Sequence, residues 1–422
     1  MRKFAPVKGS RDFYPEEKAV QNWLFEIWTR VSQRFGFAQF EGPILEPIEL
    51  YEAKSGPEIL AQTYQFKDKA GRKLAIRPEM TPTLARMIAA RQNSFPTPAR
   101  WFSIGNFWRY EAPQKGRYRD FWQWNVDILG SVNPLADAEV IATACEFFRS
   151  VGLTPAEVVI KISDRKLAET RLDVAGVKQS QVLPVLRTVD KMPKLTRAEF
   201  ERSLKRAGLT QETISNLRRV LEDLDFGTES DWLTELFTNL ADLGVAGWCQ
   251  FDPTVVRGLD YYTSTVFEAF DTRGEFRAIL AGGRYDSLVE DIGGKPLTGV
   301  GFGAGDAVIF LVLEKFGKLP KLTANPTRVL VTVFDESLAR DSVKLVNNLR
   351  TAGINSEIYP EATKLDKQLK YANKCQIPYV VILGPEESSR KIVTVKVLKT
   401  GTQIRVSQEA LPELVKKGFE NI

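Results

Sequence analysis

Between Arg100 and Gly130 the chain reads RWFSIGNFWRYEAPQKGRYRDFWQWNVDILG, two alternating runs joined by a short polar connection, and this pattern leaves few folds open. Successive side chains of a strand point to opposite faces. Ser103, Gly105, Phe107, Arg109 and Glu111 therefore share one face, while Phe102, Ile104, Trp108 and Tyr110 mostly fill the other. In the second run Phe121, Gln123, Asn125 and Asp127 point one way, and Trp122, Trp124, Val126 and Ile128 point into a core. A hairpin closed through PQKGRYR sets an arginine, a glutamate, a glutamine and an aspartate on one polar floor. Such a face often does no more than meet water. Here Lys115, Arg117 and Arg119 project beside it, a group of cations suited to phosphates, and the floor reads as a substrate site.

The rest of the chain organises around this hairpin. Apolar residues at helical spacing run from about Glu16 to Phe35, with Gly36 where a C-cap belongs. A second alternating run covers 255–270, so the first half centres on antiparallel β structure with helices around it. From about 165 to 245 strand character disappears, and ETISNLRRVLEDL and DWLTELFTNLADLG carry helical periodicity, which marks a helical insertion. After the linker-like LEKFGKLPKLTANPT the pattern changes again. RVLVTVF, PYVVILG and KIVTVKVL read as strands and SLARDSVKLVNNLRTAG as a helix closed by Gly353, which predicts a small α/β domain with a mostly parallel or mixed sheet. At 422 residues, two or three domains are expected.

Several chemistries are excluded outright. The chain contains no histidine, so it has no imidazole base and no histidine-ligated metal. Cys145, Cys249 and Cys375 are far apart and show no zinc or disulfide spacing. No metal site built from His or Cys is therefore expected. No stretch is apolar for long enough to span a membrane, and the N-terminus has no apolar run behind its basic residues, so a cytoplasmic, membrane-free protein is expected. The formal net charge of +5 permits a polyanionic partner. Much of the excess lies C-terminally, with 15 Lys or Arg against 11 Asp or Glu from Pro326 onward.

The strand-loop-strand pattern Phe-x-Arg-x-Glu followed by Gly-Arg-Tyr-Arg-x-Phe resembles motif 2 of the class II aminoacyl-tRNA synthetases, and PQKGRYRDF is similar to the histidine-specific branch. GFAQFEGPILEPIELYEAKSG resembles motif 1, with Pro43 at the expected position. LAIRPEMTPTLARM resembles the loop that receives the amino acid's ammonium group. VVRGLDYYTSTVFEAF and AILAGGRYDSLVEDIGG resemble segments of the histidyl-tRNA synthetases, the heptapeptide Arg-Gly-Leu-Asp-Tyr-Tyr-Thr being the most specific of all.

The resemblance implies an α+β fold: a class II antiparallel sheet flanked by helices, with a helical insertion and a C-terminal α/β anticodon-binding domain. The implied boundaries are 1–165 and 246–318 for the catalytic domain, 166–245 for the insertion, 319–327 for the linker and 328–422 for the last domain. It implies a ligase that uses ATP and Mg2+ to activate histidine and transfer it to tRNA(His), working as a homodimer through the motif 1 region. Arg109 and Arg257 become the catalytic residues at the α-phosphate. Glu79, Met80, Thr81, Arg109, Gln123, Asp127, Arg257, Tyr261 and Tyr262 bind histidine, and Arg109, Glu111 and Arg117 bind ATP. Gln114 and Lys115 approach the tRNA acceptor end. Gly282 and Gly283 allow close backbone approach, and Arg284 and Tyr285 face the pocket region. On the residues alone, Glu79 could instead be a helix N-terminal carboxylate beside a Thr81 cap.

The chain departs from the pattern once. The last class II motif usually ends Gly-x-Glu-Arg, its arginine contacting ATP, whereas GVGFGAGDAVIFLVLE places Asp306, Ala307 and Val308 there.

Overall fold

The computed structural model describes residues 4–53, 57–192, 195–256 and 261–419. It divides into two compact units, one formed by residues 1–12 with 21–320 and the other by 13–20 with 321–422.

The described residues of the first unit form eleven strands: β1 (Ala38–Gln39), β2 (Leu45–Pro47), β3 (Gln65–Lys67), β4 (Lys73–Ile76), β5 (Ala99–Trp108), β6 (Asp120–Leu129), β7 (Val158–Asp164), β8 (Cys249–Phe251), β9 (Thr265–Asp271), β10 (Leu280–Tyr285) and β11 (Gly299–Gly305). Eight of them form one sheet in the order β1-β5-β6-β11-β10-β9-β7-β8, and β2-β4-β3 form a small second sheet. The six central strands of the large sheet are antiparallel throughout, and only the short edge strands β1 and β8 pair in parallel.

The expected hairpin is the centre of that sheet, in register from Ala99↔Leu129 to Trp108↔Asp120. Its apolar face carries Phe102, Trp124, Val126 and Ile128, all at most 2% exposed. They pack on the helices Pro15–Arg34 and Pro134–Ser150, where Trp28 stacks on Trp124 at 6.0 Å and the Trp124 indole donates to Ser32 Oγ at 2.9 Å. Each large side chain so buried contributes about 1.5–3 kcal/mol. The second helix starts at Pro134 because the Asn133 side chain accepts from Leu135 N–H at 2.8 Å, and Pro134 has no N–H to leave orphaned.

Three aromatics of the hairpin depart from the expected core face. Tyr110 is 57% exposed, Trp108 meets Tyr64 edge-on at the sheet end, and Trp122 is half-buried against Phe25. Trp108 and Trp122 sit in the last three pairs of the ladder, and beyond it, at Tyr110, the alternation no longer fixes which way a residue points.

The helices Arg165–Val174, Gln179–Val189, Arg197–Arg206 and Gln211–Glu222 bury a core of their own around Leu172, Val185, Phe200, Leu204, Ile214 and Leu217. Thr196 and Glu199 close a reciprocal capping box at the third of these helices. The helix Asp231–Asp242 behaves differently, burying Leu233, Leu236 and Leu240 in the main core.

The second unit contains β12 (Val329–Val331), β13 (Ser356–Ile358), β14 (Tyr379–Ile382), β15 (Ile392–Val397) and β16 (Gln403–Ser407), in the order β13-β12-β14-β15-β16. The first three are mutually parallel and the last two antiparallel, a mixed sheet packed with Leu345, Leu349 and Leu411 from its helices. No helix among the described residues is long and apolar enough to cross a membrane.

Candidate active site

The polar floor of the hairpin opens into a cavity of about 950 Å³ in the first unit. Its base is recessed by β11, whose glycines 299, 301, 303 and 305 recur every second residue and so lie on one face of that strand. A Cβ at Gly303 would fall on the Gln123 amide, and one at Gly301 on the Asp127 carboxylate and the Val126 carbonyl. Glycine is required there because β6 side chains lie flat across the neighbouring strand, with Gly301 paired to Asp127 and Gly305 to Gln123.

Two of the carboxylates that line the cavity are each held by a phenol. Tyr261 OH donates to Glu79 Oε2 at 3.1 Å, and Tyr285 OH donates to Asp127 Oδ1 at 2.5 Å. Both acids are at most 5% exposed. Burial pushes the Asp127 carboxyl up to about 7, against the bond from Tyr285, so it exchanges its proton near neutrality. The rings of Tyr261, Tyr262 and Tyr285 form one cluster, 4.9 Å between the first two centroids and 6.3 Å from Tyr261 to Tyr285. Gln123 lines the cavity, and its Oε1 is buried with no hydrogen-bond partner among the described residues, an acceptor whose desolvation is left uncompensated.

The cations sit at one side of these acids. Arg109 donates from Nε to the Pro78 carbonyl at 2.9 Å and lies over the Phe121 ring at 5.2 Å. Arg117 pairs with Glu111, and Arg119 Nε donates to the Glu111 carbonyl at 3.2 Å. The loop between them turns tightly, Arg117 N–H donating to the Gln114 carbonyl at 2.8 Å with Gly116 at φ +73°, which leaves Gln114 and Lys115 exposed at its tip.

The structure thus brings Glu79, Met80, Thr81, Arg109, Glu111, Arg117, Gln123, Asp127, Tyr261 and Tyr262 to one cavity. Arg257 lies outside the described residues. Thr81 opens the helix Thr81–Arg91, but no side chain caps it, so Glu79 and Thr81 are not a capping pair. Arg284 corrects the sequence reading. Neighbours on a strand face opposite ways, and with Tyr285 in the cavity Arg284 turns to the far side of the sheet, where it is 2% exposed, pairs with Asp137 and donates to the Ser131 carbonyl at 2.7 Å.

At the final motif Asp306 is fully buried and bonded away from the cavity: both of its carboxylate oxygens accept from Arg11 Nη2 at 3.1 Å, and Oδ1 also accepts from Trp122 N–H at 3.1 Å. Burial raises its carboxyl, with Arg11 opposing. Ala307 and Val308 line the cavity instead. Sequence reasoning missed this tie, the glycine stripe, and Arg187, Asp190 and Lys191, which reach the cavity from the insertion helix Gln179–Val189 and just beyond it. The sequence marked their segment only as a helical insertion, with nothing to place it at the floor.

A central antiparallel sheet, a basic strand-loop-strand motif over its floor and paired acid and arginine groups in one cavity define a class II aminoacyl-tRNA synthetase. The family described as "Histidyl-tRNA synthetase" matches residues 9–305, and "Anticodon binding domain" matches 328–418. A histidine–tRNA ligase of Opitutus terrae is 36% identical over 438 residues, covering 99% of both chains, and one of Pyrococcus abyssi is 38% identical over 421 residues, covering 95% of this chain and 96% of its own. The crystal structure of the histidyl-tRNA synthetase from Nostoc sp. PCC 7120 superposes with a TM-score of 0.82 at 26% identity, covering 99% of this chain and all of that one. The chain belongs to the histidyl-tRNA synthetase family.

Proposed function

We propose that the protein is a histidine–tRNA ligase that activates histidine with ATP and transfers it to the 3′ end of tRNA(His). The observation that carries this reading is the pair of phenol-held carboxylates, Glu79 and Asp127, in one cavity with Arg109 and the unpartnered Gln123 carbonyl. Histidine has one ammonium group and a ring with one donor and one acceptor. Glu79, with Met80 and Thr81 around it, takes the ammonium group together with Gln123. Asp127 faces the ring N–H, and the phenols of Tyr261 and Tyr262 complete the ring pocket. An apolar ring of similar size leaves these groups unpaired, which penalises it.

In the first step a histidine carboxylate oxygen attacks the α-phosphorus of ATP, the bond to the bridging oxygen breaks, and its electron pair leaves with pyrophosphate. Arg109 and Arg257 hold the α-phosphate, while Glu111 and Arg117 bind the nucleotide. Catalysis here is chiefly positioning and charge stabilisation. In the second step the terminal adenosine hydroxyl of tRNA attacks the adenylate carbonyl and AMP leaves. With no imidazole in the chain, the hydroxyl proton passes to a phosphate oxygen of the substrate. Gln114 and Lys115 approach the acceptor end, and the C-terminal domain binds the anticodon arm.

The described residues hold no cluster of three or more acidic or Cys ligands, but Mg2+ takes one or two carboxylates with substrate phosphates, and Glu268 in the cavity wall fits that need. When bound with ATP the ion neutralises phosphate charge. We assign residues 1–165 and 246–318 to catalysis, 166–245 to the insertion and 328–422 to anticodon binding. Half-exposed Ile44, Leu45 and Phe66, in and beside the motif 1 region, support a homodimer, and the protein acts in the cytoplasm.

ATP–pyrophosphate exchange tests the reading. Exchange is expected with histidine and not with proline, threonine or glycine. Exchange with one of those assigns a sister enzyme, and exchange with none assigns a histidine-sensing relative that has lost catalysis.

A further inference from the structure

The final motif lacks its arginine in this chain, yet the cavity beside it has a cation that no step above uses. Arg277 lies between β9 and β10, and its side chain lines the cavity with Phe276, Ala307 and Val308 while staying open to solvent. The sheet register explains why it arrives there. The β10–β11 pairing starts at Leu280↔Ala304 and the β11–β6 pairing ends at Gly305↔Gln123, so the residues just before β10, just after β11 and just before Gln123 all lie at the same end of the sheet. One end of the sheet therefore carries Arg277, the chain turn into the helix Asp306–Lys315, and the Phe121 ring beneath Arg109, side by side.

The surrounding cations have protein partners: Arg109 the Pro78 carbonyl, Arg117 the Glu111 carboxylate. Arg277 makes no hydrogen bond or ion pair among the described residues. Burial lowers its guanidinium from the ordinary value, and the charge of Glu268 only partly offsets this. A guanidinium kept in a partly desolvated wall without an anion gains most when an anion arrives, and its planar fork matches a phosphate. Its place at the open side of the cavity suits the end of a triphosphate that must depart.

Resting on the ligase reading above, we propose that Arg277 binds the β- and γ-phosphates of ATP and the departing pyrophosphate, supplying from the β9–β10 connection the cation that Ala307 and Val308 do not. As the bond from the α-phosphorus breaks, the negative charge that collects on pyrophosphate develops opposite this guanidinium. Asp306 is then free to serve the fold by binding Arg11.

The test is Arg277→Ala, followed by ATP–pyrophosphate exchange and by direct titration of ATP. KM for ATP and for pyrophosphate are expected to rise roughly ten- to hundredfold, the loss of a charged hydrogen-bonded pair, with KM for histidine unchanged. Arg277→Lys recovers part of the loss. Adding Val308→Arg to Arg277→Ala restores phosphate affinity from the neighbouring position. Unchanged ATP and pyrophosphate constants overturn the proposal, as does an equal rise for all three substrates, which marks a merely structural arginine. ATP titration separates this from the ligase reading. A parent that binds ATP but exchanges with another amino acid refutes histidine specificity, while weaker ATP binding by the alanine variant still supports Arg277, and equal binding overturns it.

Discussion

Asp127 joins acid–base behaviour to amino-acid choice. Its carboxyl titrates near 7 in the folded chain against about 4 unfolded, because burial outweighs the Tyr285 bond. Between those values the folded state binds a proton that the unfolded state has lost. Stability therefore falls as pH rises from about 4 to about 7 and is flat above, by about a few kcal/mol in all. Asp127→Asn keeps the acceptor for Tyr285 and removes the charge. The ligand-free variant is expected to melt higher than the parent at pH 8 and level with it at pH 4, with histidine KM raised at least tenfold at pH 8. Equal melting at pH 8 refutes the burial argument. Gln123→Ala, which removes the unpartnered carbonyl, is expected to raise histidine KM more than ATP KM in the same exchange assay.

The β5–β6 hairpin and β11 make the site at the element scale. Alternation in a ten-residue strand determines a face, which is why Gln123 and Asp127 on the floor and Trp124, Val126 and Ile128 in the core were legible before any coordinates. It failed at Trp108 and Tyr110, where the ladder stops, and at Arg284, where a shared glycine-rich segment was read as one surface although its residues alternate. The strand β13 has only three residues, all half-buried, so burial left no alternation in it, whereas the edge strand β16 does alternate as Gln-Ile-Arg-Val-Ser and its signal went unread. The glycines of β11 carry no side-chain signal at all, and their meaning lies in what crosses them. Gly303→Ala forces the Gln123 amide to move and is expected to cut histidine-dependent exchange at least tenfold while leaving the far-ultraviolet circular dichroism unchanged. Full activity in that variant shows that the recess is not needed.

At the scale of the whole molecule, the ligase reading separates two kinds of chemistry. Activation uses small substrates in the first unit, whereas transfer needs a polyanion that the C-terminal region, with 15 basic against 11 acidic residues, is charged to attract. Raising salt from about 50 to 200 mM releases less of its advantage to small substrates than to RNA. KM for tRNA(His) in histidylation is expected to climb steeply with salt while pyrophosphate exchange changes little; parallel salt curves refute an electrostatic RNA contact. The separate α/β architecture of the C-terminal unit was legible from the strand–helix alternation after Pro326. The reach of Arg187, Asp190 and Lys191 into the cavity was not, because it depends on where the insertion's separately packed helices come to rest.

The central claim is that side chains distant in sequence form one cavity for an imidazole and an adenylate. A crystal structure with a non-hydrolysable histidyl-adenylate analogue addresses it directly. The account predicts the ring within hydrogen-bonding distance of Asp127 and the tyrosine cluster, the ammonium group at Glu79 and Gln123, and the phosphate mimic at Arg109. An analogue bound elsewhere, or lying in this cavity with its ring away from Asp127, contradicts it.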